Sequence, residues 1–118
     1  MTVFRVQDRD GRGPWRPGFS TRWIDEDAPV GRLSETVMDL LPIDTLRTLP
    51  RDRHYGCGCR SRDAVLDWFT ATERTRLQQF GYRLVVMRAD EVLAESPYQV
   101  FFARRRPLAD GATVLRWS

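Results

Sequence analysis

The chain begins with an alternation of apolar and polar residues. In the stretch TVFRVQD, Phe4 and Val6 alternate with Arg5 and Gln7, and this period of two predicts a strand that carries Phe4 and Val6 on one face. The next ten residues, GRGPWRPGFS, contain three glycines and two prolines, so neither a helix nor a regular strand can run through them. The pattern predicts a first strand followed by a long loop.

Helix signals occupy the middle of the chain. In RLSETVMDLLP, Ser34 is a candidate N-cap and Pro42 marks the end of a short helix. In SRDAVLDWF, Ser61 is a second candidate N-cap, and several apolar residues after it share one helical face. These two segments predict two short helices.

A third helix is predicted to begin at Thr70, because Thr70 and Glu73 have the spacing of a capping box. It runs through Leu77, and Gly81 can end it in a left-handed conformation. This helix completes the central helical region of the chain.

The period changes again after the third helix. The segments YRLVVMR, YQVFFARR and TVLRW are rich in β-branched and aromatic residues, which favour strands. The segments ADEVLAESP and PLADGA are predicted to connect them. An N-terminal strand, short central helices and C-terminal, mostly antiparallel strands together predict an α+β fold.

Length and composition place these elements in one domain, residues 1–118. The chain has 118 residues, of which 42% are hydrophobic and 11% aromatic, which is too much apolar material for a disordered protein. It begins without a basic segment leading into an apolar stretch, and it has no apolar run long enough to cross a bilayer. We therefore expect a cytoplasmic protein with no membrane partner.

The basic residues are unusual because all 19 of them are arginine. This bias is typical of a GC-rich bacterial or phage genome. Arginine also presents a planar fork of donors that suits phosphate and carboxylate, and the net charge is +3. Arg12 and Arg16 in the first loop and the run Arg104 to Arg106 are candidate contacts to a phosphate-bearing ligand, while a short basic run is more often a solvated strand edge.

The stretch HYGCGCRS holds the only histidine and both cysteines of the chain. A structural zinc site needs four ligands, usually with cysteine pairs two to four residues apart, whereas one residue separates Cys57 from Cys59. A redox pair usually has two intervening residues. We therefore expect a short strand and turn in which both cysteines are reduced and hold no metal, and which leads to Ser61 at the start of a helix.

Four features together resemble the ADP-ribosyltransferase fold. They are the arginine in VFRVQD, the loop rich in glycine and proline, the segment HYGCGCRSRDAVLDWF, and the late strand pair in ESPYQVFFARRRPLADGATVL. The resemblance implies NAD as cofactor and a protein or nucleic acid as the macromolecular target.

The resemblance also implies roles for individual residues. Arg5 would hold the diphosphate or a ribose of NAD, and Ser61 or the backbone of residues 56–59 would cradle the nicotinamide. Tyr55 and Trp15 would stack on the nicotinamide ring, and Arg16 is a further candidate for contact with the cofactor.

The late strand departs from the family pattern. The family carries a catalytic glutamate there, but this chain has Gln99 just before VFF, and the nearest carboxylate is Glu95. A glutamine can hydrogen-bond a ribose hydroxyl but cannot stabilise the positive charge that develops as nicotinamide leaves. Either Glu95 supplies that charge from a neighbouring loop, or the protein binds without catalysing.

Two functions follow. One is transfer of ADP-ribose from NAD, with Arg5, Ser61, Glu95 and Gln99 lining the site. The other is a non-catalytic bacterial or phage binding or inhibitor protein that acts through its arginine-rich loops. An acid that points into the cleft beside the late strand distinguishes the enzyme from the binding protein.

Purely structural roles remain open for the same residues. Arg5 could pair with Asp8 or Asp10, Ser61 could act only as a helix cap, and Glu95 could be a solvated carboxylate.

Overall fold

The computed structural model describes residues 1–16, 18–27 and 36–117. The predicted N-cap Ser34 lies outside these residues. The helices and strands are β1 (Thr2–Gln7), α1 (Val37–Leu40), α2 (Ile43–Arg47), β2 (His54–Gly58), α3 (Arg62–Trp68), α4 (Ala71–Gln79), β3 (Arg83–Arg88), β4 (Glu91–Glu95), β5 (Val100–Arg104) and β6 (Thr113–Leu115). This order confirms the predicted α+β class, with an N-terminal strand, short helices and antiparallel sheets.

The strands form two three-stranded antiparallel sheets. One has the order β1-β3-β6 and the other β2-β5-β4. An antiparallel bridge joins Phe4 of β1 to Cys59, just after β2. The Phe4 amide donates to the Cys59 carbonyl at 2.8 Å, and the Cys59 amide donates to the Phe4 carbonyl at 2.7 Å. The spatial order is therefore β4-β5-β2-β1-β3-β6, with β2 and β1 paired by this bridge and not by a longer ladder.

Buried apolar residues form two clusters on either side of this junction. The first cluster contains Val6, Trp23, Cys59, Val65, Phe69, Leu77, Tyr82 and Leu84. The second contains Val3, Val85, Met87, Ala89, Val100 and Phe102. Strand β1 contributes to both clusters, so both of its faces are buried. The sequence pattern predicted an apolar face only for Phe4 and Val6.

The helix caps follow the sequence signals. Ser61 caps α3, its hydroxyl accepting from the Ala64 amide at 3.1 Å. Thr70 and Glu73 form the predicted capping box of α4. Gly81 follows that helix with a φ of 85°, in the left-handed region that favours glycine. These three predictions are confirmed.

Three of the described elements were not predicted from the sequence, and one of them is a 3-10 helix at Ser20–Arg22. Pro42 separates α1 from a further short helix, α2. The segment ADEVLAESP, predicted to be a connection, contains β4, which pairs with β5 around an irregularity between Val92 and Ala94. Strand β4 lies at the edge of its sheet with acidic residues at both ends, and its three apolar residues are only partly buried and do not alternate with polar ones. No helix in the described part of the chain is long and apolar enough to span a membrane.

Gly58 is the residue that lets β1 and β2 approach each other. A Cβ at Gly58 would collide with Val3 Cγ1 and lie 2.8 Å from the Phe4 carbonyl oxygen, which belongs to the bridge. We expect Gly58→Ala to destabilise the protein by about 1–3 kcal/mol or more, because backbone must move. Urea unfolding followed by circular dichroism measures this loss.

Gly13→Ala is the matched control, since a Cβ at Gly13 has its nearest contact at 3.6 Å and meets only the Arg5 side chain. Equal stabilities for the two variants would mean that the junction tolerates a side chain at position 58.

Candidate functional site

A cleft of about 630 Å³ lies between β1 and β2. Its walls come from β1, the loop at 11–16, β2 and the residue after it, and α3 with the residue that follows it. The start of α1, Gln99 and Leu108 complete the lining. This volume is within the range of small-molecule sites.

Arg5 lies on this cleft and is 9% exposed. Its Nε donates to the Gln7 side-chain oxygen at 2.8 Å, Nη1 to the Cys57 carbonyl at 2.8 Å, and Nη2 to the Gly11 carbonyl at 2.9 Å. Two strands and the first loop thus fix the guanidinium in place. All three acceptors are uncharged.

No described residue forms an ion pair with Arg5. The sequence left open an ion pair between Arg5 and Asp8 or Asp10. Both carboxylates instead bind groups of the loop that follows β1. Asp8 accepts from the amides of Asp10 and Arg12 at 2.9 Å each, and Asp10 pairs with Arg12 at 3.1 Å.

Burial lowers the pKa of the Arg5 guanidinium from its ordinary value, and the nearby Cys57 and Asp8 oppose that effect. The group stays protonated, because an arginine retains its proton in proteins. Burying a cation whose hydrogen-bond acceptors are all uncharged is costly, so an anion in the cleft would stabilise Arg5.

The rest of the lining is basic and apolar. Its described residues include Arg12 and Arg16 in addition to Arg5, and none of them is an aspartate or glutamate. The Arg16 Nη2 donates to the Tyr82 hydroxyl at 2.9 Å, its guanidinium lies 4.6 Å from the centre of the Phe19 ring, and its buried Nε has no partner among the described residues. The cleft therefore favours anionic ligands over cationic ones.

Aromatic side chains lie at the same cleft. Trp15 is 44% exposed and packs edge-on against buried Trp23, with ring centres 4.6 Å apart. The Trp23 indole donates to the Pro14 carbonyl at 3.1 Å, which anchors the loop. Tyr55 stacks on Phe101. Trp15 is thus held by a rigid neighbour while part of its ring stays accessible.

Four of the six site residues chosen from the sequence lie on this cleft, namely Arg5, Arg16, Tyr55 and Gln99. Ser61 and Glu95 do not line it. Ser61 is exposed and caps α3, and Glu95 forms an exposed ion pair with Arg60.

Gln99 is 9% exposed and comes directly before β5. The backbone amide of Gln99 donates to the Ser96 hydroxyl at 3.2 Å, and this bond fixes the turn that leads into β5. Gln99 lines the cleft with a neutral side chain. The resemblance to ADP-ribosyltransferases leads us to expect an acid at this position.

Residues 1–110 match the family described as Bacteriophage T4 Y00F protein. The chain belongs to this family. Membership agrees with the bacterial or phage origin suggested by the all-arginine basic residues. No curated protein and no solved structure matches the chain.

Sequence reasoning missed two residues that shape the cleft in this Y00F family member. Leu108 lines the cleft. Gln7 is fully buried and does not line it, but its side-chain amide donates to the Leu108 carbonyl at 2.9 Å and joins the loop after β5 to β1. The sequence did contain one indication for Gln7: it lies two residues after Arg5 on a strand, and such residues share a face. Nothing in the sequence pattern pointed to Leu108.

The two cysteines of this Y00F family member differ in their surroundings. Cys57 is half-buried on the cleft, whereas Cys59 is buried in the first apolar cluster. Both are thiols. Burial, with a smaller contribution from Cys57, raises the pKa of the Cys59 thiol to about 11. The described residues contain no group of three or more histidine, cysteine or acidic side chains that could hold a metal.

We expect Cys59 to resist alkylation by iodoacetamide at pH 8 while the protein is folded, because it is buried and protonated and only the thiolate reacts. Mass spectrometry of Cys57→Ala should find no label on the folded protein and one label in urea. Rapid labelling of the folded variant would contradict the burial of Cys59.

Proposed function

We propose that this member of the Y00F family is an ADP-ribosyltransferase-like protein that binds NAD in the cleft. The observation that carries the proposal is the Arg5 guanidinium, which is buried on the cleft and hydrogen-bonded only to uncharged acceptors. The diphosphate of NAD would supply the missing counter-charge, and arginine suits phosphate oxygens in charge and geometry.

The remaining lining supports the same ligand. Arg12 and Arg16 add positive charge, while Trp15 and Tyr55 offer aromatic surface for a nicotinamide or adenine ring. A cleft that combines cationic and aromatic groups is suited to a ligand with both anionic and aromatic parts. The features on which the family resemblance rests, the first strand, the glycine- and proline-rich loop and the start of the late strand, also meet here.

Binding is better supported than turnover. An ADP-ribosyltransferase needs a carboxylate near the nicotinamide ribose, and no described lining residue carries one. Glu95 is engaged with Arg60 outside the cleft. A non-catalytic phage protein that holds NAD or uses its arginine-rich loops to bind a protein or nucleic acid is therefore the second candidate.

We expect millimolar NAD to raise the melting temperature of the wild-type protein, because a ligand that binds only the folded state stabilises it. Arg5→Met should weaken NAD binding by about tenfold or more, since it removes the buried charge. Isothermal titration calorimetry at two salt concentrations measures both the affinity and its electrostatic part.

Arg105→Met is the matched control, because Arg105 is exposed and does not line the cleft. Arg16→Met tests the same charge argument if Arg5→Met is poorly folded. Equal losses from all three changes would indicate diffuse attraction by the arginines, and no binding by the wild type would reject the NAD proposal.

We expect Gln99→Glu to raise NAD hydrolysis by about tenfold or more, because it places a carboxylate on the cleft where the developing positive charge needs one. Release of nicotinamide, followed by chromatography, measures the rate. Gln99→Leu is the uncharged control and should show no rise.

A wild-type activity that disappears in Glu95→Gln would contradict this assignment. That result would mean that Glu95 breaks its ion pair with Arg60 and is the acid that promotes NAD hydrolysis.

A further inference from the structure

Gln7 is a buried polar residue to which the proposed function gives no role. It is fully buried, and its side-chain oxygen accepts from the Arg5 Nε at 2.8 Å. Its side-chain nitrogen donates to the Leu108 carbonyl at 2.9 Å. Gln7 thus connects the guanidinium to the loop after β5 through two hydrogen bonds.

The second bond holds one wall of the cleft. Arg104 is also buried and binds the same loop, donating to the carbonyl of Pro107 at 3.3 Å and to that of Asp110 at 2.7 Å. The loop brings Leu108 close to Arg5: a Cβ at Gly56 would lie 3.0 Å from Leu108 Cδ1 and 3.1 Å from Arg5 Nη1. Gln7 and Arg104 therefore hold the loop that places Leu108 at the cleft near Arg5.

The first bond matters because its acceptor carries no charge. A glutamate has nearly the same size as glutamine and could accept from Arg5 Nε at the same distance. Such a carboxylate would neutralise the cation inside the protein. The amide instead orients the guanidinium and leaves its charge to act on the cleft.

We infer that Gln7 is a positioning residue that holds Arg5 through an uncharged acceptor, and thereby makes the cleft selective for the anionic part of its ligand. The inference rests on the proposed function, since it concerns the same cleft. The affinity of the cleft for phosphate groups then depends on an uncharged residue at position 7 as well as on Arg5.

The test compares Gln7→Glu with Gln7→Met. Both variants lose the hydrogen bond to Leu108. Gln7→Met also loses the acceptor for Arg5 Nε, whereas Gln7→Glu keeps that acceptor and adds a charge beside Arg5. We expect Gln7→Glu to weaken the binding of NAD and of inorganic pyrophosphate by about tenfold or more relative to Gln7→Met. The salt dependence of binding should also be shallower in Gln7→Glu, a change that a purely structural role would not produce.

A second pair of variants covers the possibility that Gln7→Glu does not fold. A Cβ at Gly13 would lie 3.6 Å from Arg5 Nη2, so Gly13→Asp brings a carboxylate to Arg5 from the loop, with Gly13→Asn as its neutral counterpart. We expect Gly13→Asp to bind pyrophosphate at least several-fold more weakly than Gly13→Asn.

The outcomes separate the inference from the proposed function. If the wild type binds NAD and each charged variant binds as tightly as its neutral partner, the role of Gln7 is wrong and the NAD proposal stands. If the wild type binds neither NAD nor pyrophosphate, both are wrong.

Discussion

The junction between the two sheets is the constraint on which the rest of the structure depends. A single bridge, from Phe4 to Cys59, joins β1 to the end of β2. Gly58 makes this contact possible because its neighbours leave no room for a side chain. The two strands pair at this bridge rather than along a ladder, and residues of both strands line the cleft beside it.

The same junction explains why a charged residue is buried at the cleft. Both faces of β1 are covered, so most of the Arg5 side chain is shielded from water and needs acceptors within the protein. The carbonyls of Cys57 and Gly11 and the amide of Gln7 satisfy its hydrogen bonds but not its charge. Hydrogen bonding thus makes the burial possible, and the remaining electrostatic imbalance makes it useful for binding an anion.

Much of this fold follows from local sequence signals. The caps at Ser61 and Thr70, the turn at Gly81 and the strand periods are determined by neighbouring residues, and these features were predicted. Strand β4 was missed because it is a short edge strand whose apolar residues are consecutive and do not alternate with polar ones.

The cleft was only partly predictable for a different reason. Residues such as Leu108 reach it through contacts between distant parts of the chain. The roles of Arg5 and Gln99 came from a family resemblance, whereas the neutrality of every Arg5 acceptor depends on tertiary geometry that no local pattern encodes.

Two glutamines, Gln7 and Gln99, define the chemistry that the cleft can support. An acid at position 7 would cancel the positive charge of Arg5 and weaken the attraction for phosphate. An acid at position 99 would offer the negative charge that stabilises an oxocarbenium-like transition state. The described lining carries three arginines and no carboxylate, so it offers positive charge to the proposed ligand but no acid to act on its glycosidic bond. Under the proposed function, NAD binding without efficient turnover would have one physical origin, an amide in place of a carboxylate at positions 7 and 99.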